Sequence, residues 1–305
     1  RGAVGSISVE REGSGYRYTH GTRSMLLDQG LFDLDAQVAD MERQGVARRA
    51  LAIPPFTLNY ALPPDAGMRW TRAVNEGIAD IVRRYGDGFV GFAAVPLQDP
   101  ASAVTELEHA VERLGMRGVE IATNIAGVEL DAREFDPFWD VAQELGVPIL
   151  IHPHDVAGVD RMGSYYLNNL VGNPVETALA GARLLFGGVL ERYPRLAIIL
   201  SHGGGALPQL VGRLQHGYEV RPESGAQPTG PLEAIRSLYF DTIVFDPAAL
   251  RHLVAVAGAS QVVLGTDYPF DMGEPDPVAF VRSAGLSGED TETILGNGAR
   301  LLGRR

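Results

Sequence analysis

The stretch Val147–Asp155 reads VPILIHPHD: five apolar side chains, then His152 and a polar tail broken by Pro153. A short apolar run stopped by a polar residue marks a strand buried on both faces, whose end emerges at the rim of a sheet. Two other stretches have the same form, LAIILSHGGG at 196–205 and VVLGTDYPF at 262–270. With further apolar runs at 49–53, 89–95, 118–122 and 239–243, seven strands are predicted. Between them lie stretches with apolar positions three or four apart, at 33–44, 68–85, 101–114, 135–145, 174–192, 205–216 and 247–257. This alternation is the pattern of repeated βα units around a parallel sheet.

Upstream, residues 7–20 alternate apolar and polar side chains around Glu12-Gly13-Ser14-Gly15, which predicts a β-hairpin. The helix at 33–44 has no buried-type strand before it. Seven strands close a barrel poorly and eight close it well, and a barrel of ~250 residues fits a chain of this length. The expectation is therefore an α/β chain forming one (β/α)8 barrel domain over residues 1–305. Residues 1–30 form a hairpin insertion and linker, residues 31–305 the βα repeats, and the first barrel strand lies upstream of Arg1. A doubly wound sheet would carry a glycine-rich phosphate turn leading from a strand into a helix; the one G-x-G-x-x-G, at 86–91, leads from a helical stretch into the 89–95 run and does not have that placement.

A formal charge of −12 and a pI near 5.0 argue against a nucleic-acid partner. With no cysteine, the available metal ligands are His, Asp and Glu. All 26 basic residues are Arg, so Schiff-base chemistry, a Walker A lysine and a bridging carboxylated lysine are excluded. No apolar stretch reaches ~18 residues, so no membrane partner is expected and the cytoplasm is the expected compartment.

In such barrels chemistry gathers where strands end, because the βα loops converge there. Any one rim histidine is more often a structural hydrogen-bond donor than a ligand. His152, His202 and Asp267 together, each ending one of the three quoted runs, favour a metal site. Two imidazoles and a carboxylate suit Zn2+ or another divalent ion such as Mn2+, with one histidine free to take the proton of a metal-activated water instead of ligating. His154, behind Pro153, is expected to face elsewhere. Glu120 and Asn124 end the 118–122 run and are weaker candidates for ligand or substrate contact. The HGGG at 202–205 could serve an oxyanion hole, but no G-x-S-x-G elbow accompanies it, so the glycines are read as a tight turn.

These residues, with VPLQD (95–99), Arg161-Met162, NPVET (173–177), VGR (211–213) and GTDYPF (265–270), resemble the metal-dependent decarboxylase branch of the amidohydrolase superfamily that contains 2-amino-3-carboxymuconate-6-semialdehyde decarboxylase. The resemblance implies that His152 and Asp267 ligate zinc and that His202 activates the bound water. It implies that Arg213 reaches the neighbouring subunit's site to hold a substrate carboxylate, hence a homodimer. Arg23 falls near the family's other carboxylate-binding arginine, and Tyr165 or Tyr166, with Phe270, near its aromatic substrate wall. The family's first-strand H-x-H is not found before Arg23; strand and motif are expected together upstream of Arg1. His20, His109, His216 and His252 do not sit at predicted strand rims. The expected activity is non-oxidative decarboxylation of a small unsaturated or aromatic carboxylic acid. The alternatives are metal-dependent hydrolysis or hydration of a lactone, amide or unsaturated acid, and a metal-free binding module on the same fold.

Overall fold

Every side chain of Phe89–Ala94 and Gly118–Ala122 is buried, the condition of strands covered on both faces. The computed structural model describes residues 2–4, 7–21, 23–224 and 227–303. Its strands are β1 (Gly2–Val4), β2 (Ile7–Glu12), β3 (Gly15–His20), β4 (Arg23–Leu26), β5 (Arg49–Leu51), β6 (Phe89–Ala94), β7 (Gly118–Ala122), β8 (Asn124–Ile125), β9 (Val128–Glu129), β10 (Ile149–His152), β11 (Ile198–Leu200), β12 (Tyr239–Asp241) and β13 (Val262–Val263). The helices are α1 (Leu34–Gln44), α2 (Pro64–Tyr85), α3 (Pro100–Glu112), α4 (Asp136–Leu145), α5 (Asn173–Phe186), α6 (Val189–Arg192), α7 (Leu207–Val220), α8 (Pro231–Ala234), α9 (Pro247–Ala257), α10 (Pro277–Ser283) and α11 (Gly288–Leu302).

Seven strands form one curled parallel sheet in the order β13-β12-β11-β10-β7-β6-β5, helices intervening between successive strands. This is the α/β barrel architecture expected from the alternating pattern. Among the described residues the end strands β5 and β13 pair only with β6 and β12. All seven predicted runs are strands; β7 has the predicted bounds and the other six are shorter than read, β11 stopping two residues before His202 and β13 four before Asp267. The predicted hairpin is β2–β3, widened by β1 and β4 into a four-stranded antiparallel sheet. No helix is read from the sequence beyond Ala257; α10 and α11 lie there, capped by Asp276 and Ser287, whose side chains accept from Ala279 and Asp290 N–H groups. No described helix is long and apolar enough to cross a membrane.

The helices bury the faces that their periodicity marks. Helix α4 inserts Phe138, Trp139 and Ala142 and ends at Gly146, whose φ of +63° closes the helix in a left-handed cap. Helix α2 buries Thr71, Asn75 and Ile78 against the sheet. The Asn75 amide both donates to Ala94 O at 2.9 Å and accepts from Ala94 N at 2.8 Å, completing the end of β6 as another strand would. It also donates to Glu106 of α3 at 2.7 Å, and Arg72 meets the other Glu106 oxygen at 2.7 Å. A fully buried carboxylate is thus satisfied on both oxygens while tying two helices to a strand.

The N-terminal sheet packs on the loop that follows β5. Ile7 and Tyr18 join Leu62 and Ala66 in a small core with Phe56 and Trp70 around it. The Tyr18 hydroxyl donates to Asn59 Oδ1 at 2.9 Å. The sheet therefore rests on the face of the barrel where strands end.

Two glycines test this architecture. A Cβ on Gly205, at φ +59°, would lie 2.3 Å from the Pro174 carbonyl oxygen, whereas one on exposed Gly77 within α2 would meet nothing within 4 Å. Gly205→Ala is expected to destabilise the protein by more than ~2 kcal/mol. Gly77→Ala is expected to stabilise it by roughly 0.4–1 kcal/mol. Urea unfolding midpoints of the two variants check both signs.

Candidate metal and catalytic site

The parallel order places the ends of β10, β11, β12 and β13 side by side. His152 is the last residue of β10. Its Nδ1 lies 3.0 Å from the Pro153 carbonyl oxygen, which can only accept; the neutral ring therefore carries its proton on Nδ1 and turns the Nε2 lone pair outward. Burial, helped by the nearby His202, pulls the His152 pKa down to about 3, so the ring stays neutral and able to ligate.

His202 stands in a turn after β11 at φ +55°, followed by Gly203, Gly204 and Gly205 at +60°, +77° and +59°. Left-handed backbone costs a non-glycine residue roughly 1–2 kcal/mol, so something must hold His202 there. What holds it is Asp241, at the end of the next strand. Its Oδ2 accepts from His202 N at 2.9 Å, and its Oδ1 from Gly203 N at 2.8 Å and Ile243 N at 3.0 Å. Burial leaves the Asp241 carboxyl above its ordinary value, against the opposing pull of His202 and the three N–H donors. Asp267, at φ +53°, completes the group with Oδ2 3.8 Å from His202 Nε2, an ion pair too long for a hydrogen bond. Burial disfavours charge on His202, but Asp267 and the charge of Asp241 outweigh it and leave the imidazole above its usual value.

One ligand atom from each of His152, His202 and Asp267 falls within 4.8 Å of the other two. The rings of His152 and His202 meet edge to face with centroids 4.9 Å apart. Ligands ~2.1 Å from a tetrahedral ion lie about 3.4 Å from one another, so small side-chain movements would close this set on a divalent cation. Neutral imidazole and carboxylate are the donors that such an ion takes.

These residues line a cavity of about 1090 Å³, enough for a small organic acid. Leu150, Ile199 and Val263 give it an aliphatic floor, on which Glu120 is the polar exception. The Oε2 of Glu120 has no hydrogen-bond partner, and burial together with the charge of Asp267 pushes its carboxyl well above the usual range. Glu120 lies in register with Leu150, two residues below the level of His152, and is not part of the three-residue group.

Of the other sequence-derived candidates, Phe270 lines the same cavity. Tyr165 and Tyr166 do not; they are 87% and 52% exposed, in a loop where both have φ near +58°. Arg213 is exposed on α7, outside the cavity. Arg23 is in β4, but its side chain lies outside the described residues. Asn124 is taken up structurally, donating to the His154 carbonyl at 2.9 Å and to buried Glu176 at 3.0 Å. His154 pairs with Asp155 at 3.1 Å. Asp241 is not among the sequence-derived candidates because it falls inside the predicted 239–243 run, whereas the strand itself ends at Asp241.

The sequence profile described as amidohydrolase matches residues 28–304. A 2-amino-3-carboxymuconate-6-semialdehyde decarboxylase of Dictyostelium discoideum is 35% identical over 276 residues, covering 90% of this chain and 77% of that protein. The crystal structure of a 5-carboxyvanillate decarboxylase of Sphingomonas paucimobilis superposes with TM-score 0.79 at 28% identity, over 88% of this chain and 82% of its own. A dihydroxybenzoic acid decarboxylase from Polaromonas, with bound manganese and an inhibitor, superposes with TM-score 0.81 at 26% identity, over 88% of this chain and 85% of its own. The chain belongs to the amidohydrolase family.

Proposed function

We propose that this protein is a metal-dependent carboxy-lyase that removes CO2 from a small unsaturated or aromatic carboxylic acid. The observation that carries the reading is the convergence of His152, His202 and Asp267 within 4.8 Å at the wall of one cavity. The decarboxylases to which the chain is similar act on acids of this class, by their names.

His152 and Asp267 would hold the ion, zinc or manganese, through Nε2 and a carboxylate oxygen. When bound, the ion supplies Lewis acidity that polarises substrate oxygens. The chain's own residues do the rest. The bond from carbon to carboxylate breaks, CO2 leaves, and the carbon takes a proton where the carboxylate was. His202, beside the ligand pair, is the group placed to hold and pass that proton. Phe270 gives the cavity an aromatic wall for a planar substrate.

Arg213 fits a role across a homodimer. It is exposed on α7, which packs on α5, and on those helices Val175, Leu179 and Leu210 are 42%, 38% and 40% exposed. An apolar strip beside an arginine suits a second copy, into whose cavity the guanidinium could reach to hold a carboxylate in a forked pair. Arg23 serves the same function in this reading, whereas Tyr165, exposed and outside the cavity, would meet substrate only if its loop turned inward.

Two outcomes follow. His202→Ala is expected to keep its metal, measured by plasma emission, and to lose roughly 10²-fold or more in CO2 release. His152→Ala and Asp267→Ala are expected to lose the metal itself. Acid release from lactones or amides without CO2 evolution would replace the lyase reading with a hydrolase. For the dimer, Leu179→Asp is expected to give monomers by sedimentation, and Arg213→Ala to raise KM about tenfold or more in an intact dimer. A fully active monomer would remove the role of Arg213.

A further inference from the structure

We infer that Asp241 is the positioning residue that sets His202 in place, a clamp acting through the backbone amides of the turn. Three observations carry the inference. Both carboxylate oxygens are used, and two of the three N–H groups they accept belong to His202 and Gly203, on a different βα unit. Those two successive amides lie in one turn, where His202 and Gly203 are both left-handed at φ +55° and +60°, and both point at the one carboxylate. The space allows no looser arrangement: a Cβ on Gly203 would lie 2.3 Å from Val244 Cγ1, and one on Gly204 2.6 Å from Phe240.

Among the described residues the one hydrogen-bond contact of the His202 ring is Ser201 Oγ, 3.5 Å from Nδ1. At that length the contact is too weak to orient an imidazole. The ring is carried to the site by its backbone, whose conformation Asp241 fixes, and there it meets the His152 ring edge to face and the Asp267 carboxylate 3.8 Å away. The third bond, to Ile243 N, is local and keeps the carboxylate itself from rotating. The inference rests on the reading of His202 as proton carrier only where turnover is concerned; the clamp is a property of the fold.

Asp241→Asn preserves size but sets an amide N–H2 against a backbone N–H, so at least one bond is lost. In 15N-histidine-labelled, metal-free protein, this change is expected to move the ring signals of His202 and leave those of His109, His216 and His252 in place. In the metal-loaded enzyme it should lower kcat roughly tenfold or more with KM within about threefold. In a His202→Ala background the same change should cost under about twofold, since a clamp with nothing to aim has no effect. Equal losses in both backgrounds, or unmoved His202 signals, overturn the clamp. Full activity of His202→Ala alone overturns the proton-carrier reading instead, and the NMR result then decides the clamp by itself. If Asp241→Asn does not fold, hydrogen exchange in the unaltered protein decides: the amides of His202 and Gly203 should be strongly protected, and exchange at the rate of open loop amides refutes the inference.

Discussion

Parallel pairing is the constraint on which the site depends. Because β10, β11, β12 and β13 are hydrogen-bonded neighbours running the same way, their ends fall on one edge at intervals of roughly 4.8 Å. Residues 152, 202, 241 and 267 are scattered over more than a hundred positions of sequence, yet the ladder delivers them to one place. No contact among the four side chains would suffice without it. The ladder is in turn secured from outside, by α4 driving Trp139 and Phe138 into the core and by Asn75 finishing the edge of β6.

That geometry explains how much could be read beforehand. A buried parallel strand must be a continuous apolar run, so the seven strands were legible, as were the polar residues that terminate three of them. His152 is the simplest case, because it ends its strand directly. His202 and Asp267 were found by the same rule although each lies beyond its strand in a left-handed turn, since the rule concerns the rim and not the last hydrogen bond. Asp241 ends its strand in the same way, but Ile243 and Val244 carry the apolar pattern beyond it, so in sequence it reads as the interior of a run. The C-terminal helices were missed for a related reason: α11 mixes acidic, polar and apolar residues and is defined mainly by its Ser287 cap and by packing of Ile294 and Leu301. Candidates placed by resemblance alone, Tyr165 and Arg213, lie on the surface within a single chain, where no periodicity or burial could have located a role.

The electrostatics of the cavity follow from dryness with unequal compensation. His152 is stripped of solvent and given only a carbonyl, so it stays neutral. His202 is equally enclosed but faces two acidic groups, so it leans the other way. Glu120 has burial and a like charge and nothing to offset either, and its carboxyl is driven toward the uncharged form. Three titratable groups in one enclosure thus differ in charge preference because of their neighbours, as sites that handle protons and cations require.

The turn at 202–205 also governs what lies beyond it. Helix α7 starts at Leu207, one residue after four left-handed residues whose glycines are wedged against Pro174, Phe240 and Val244. Arg213 is six residues into that helix and its immediate lead-in, about 9 Å along the axis. The turn therefore sets where α7 begins and, with it, where Arg213 stands on the surface.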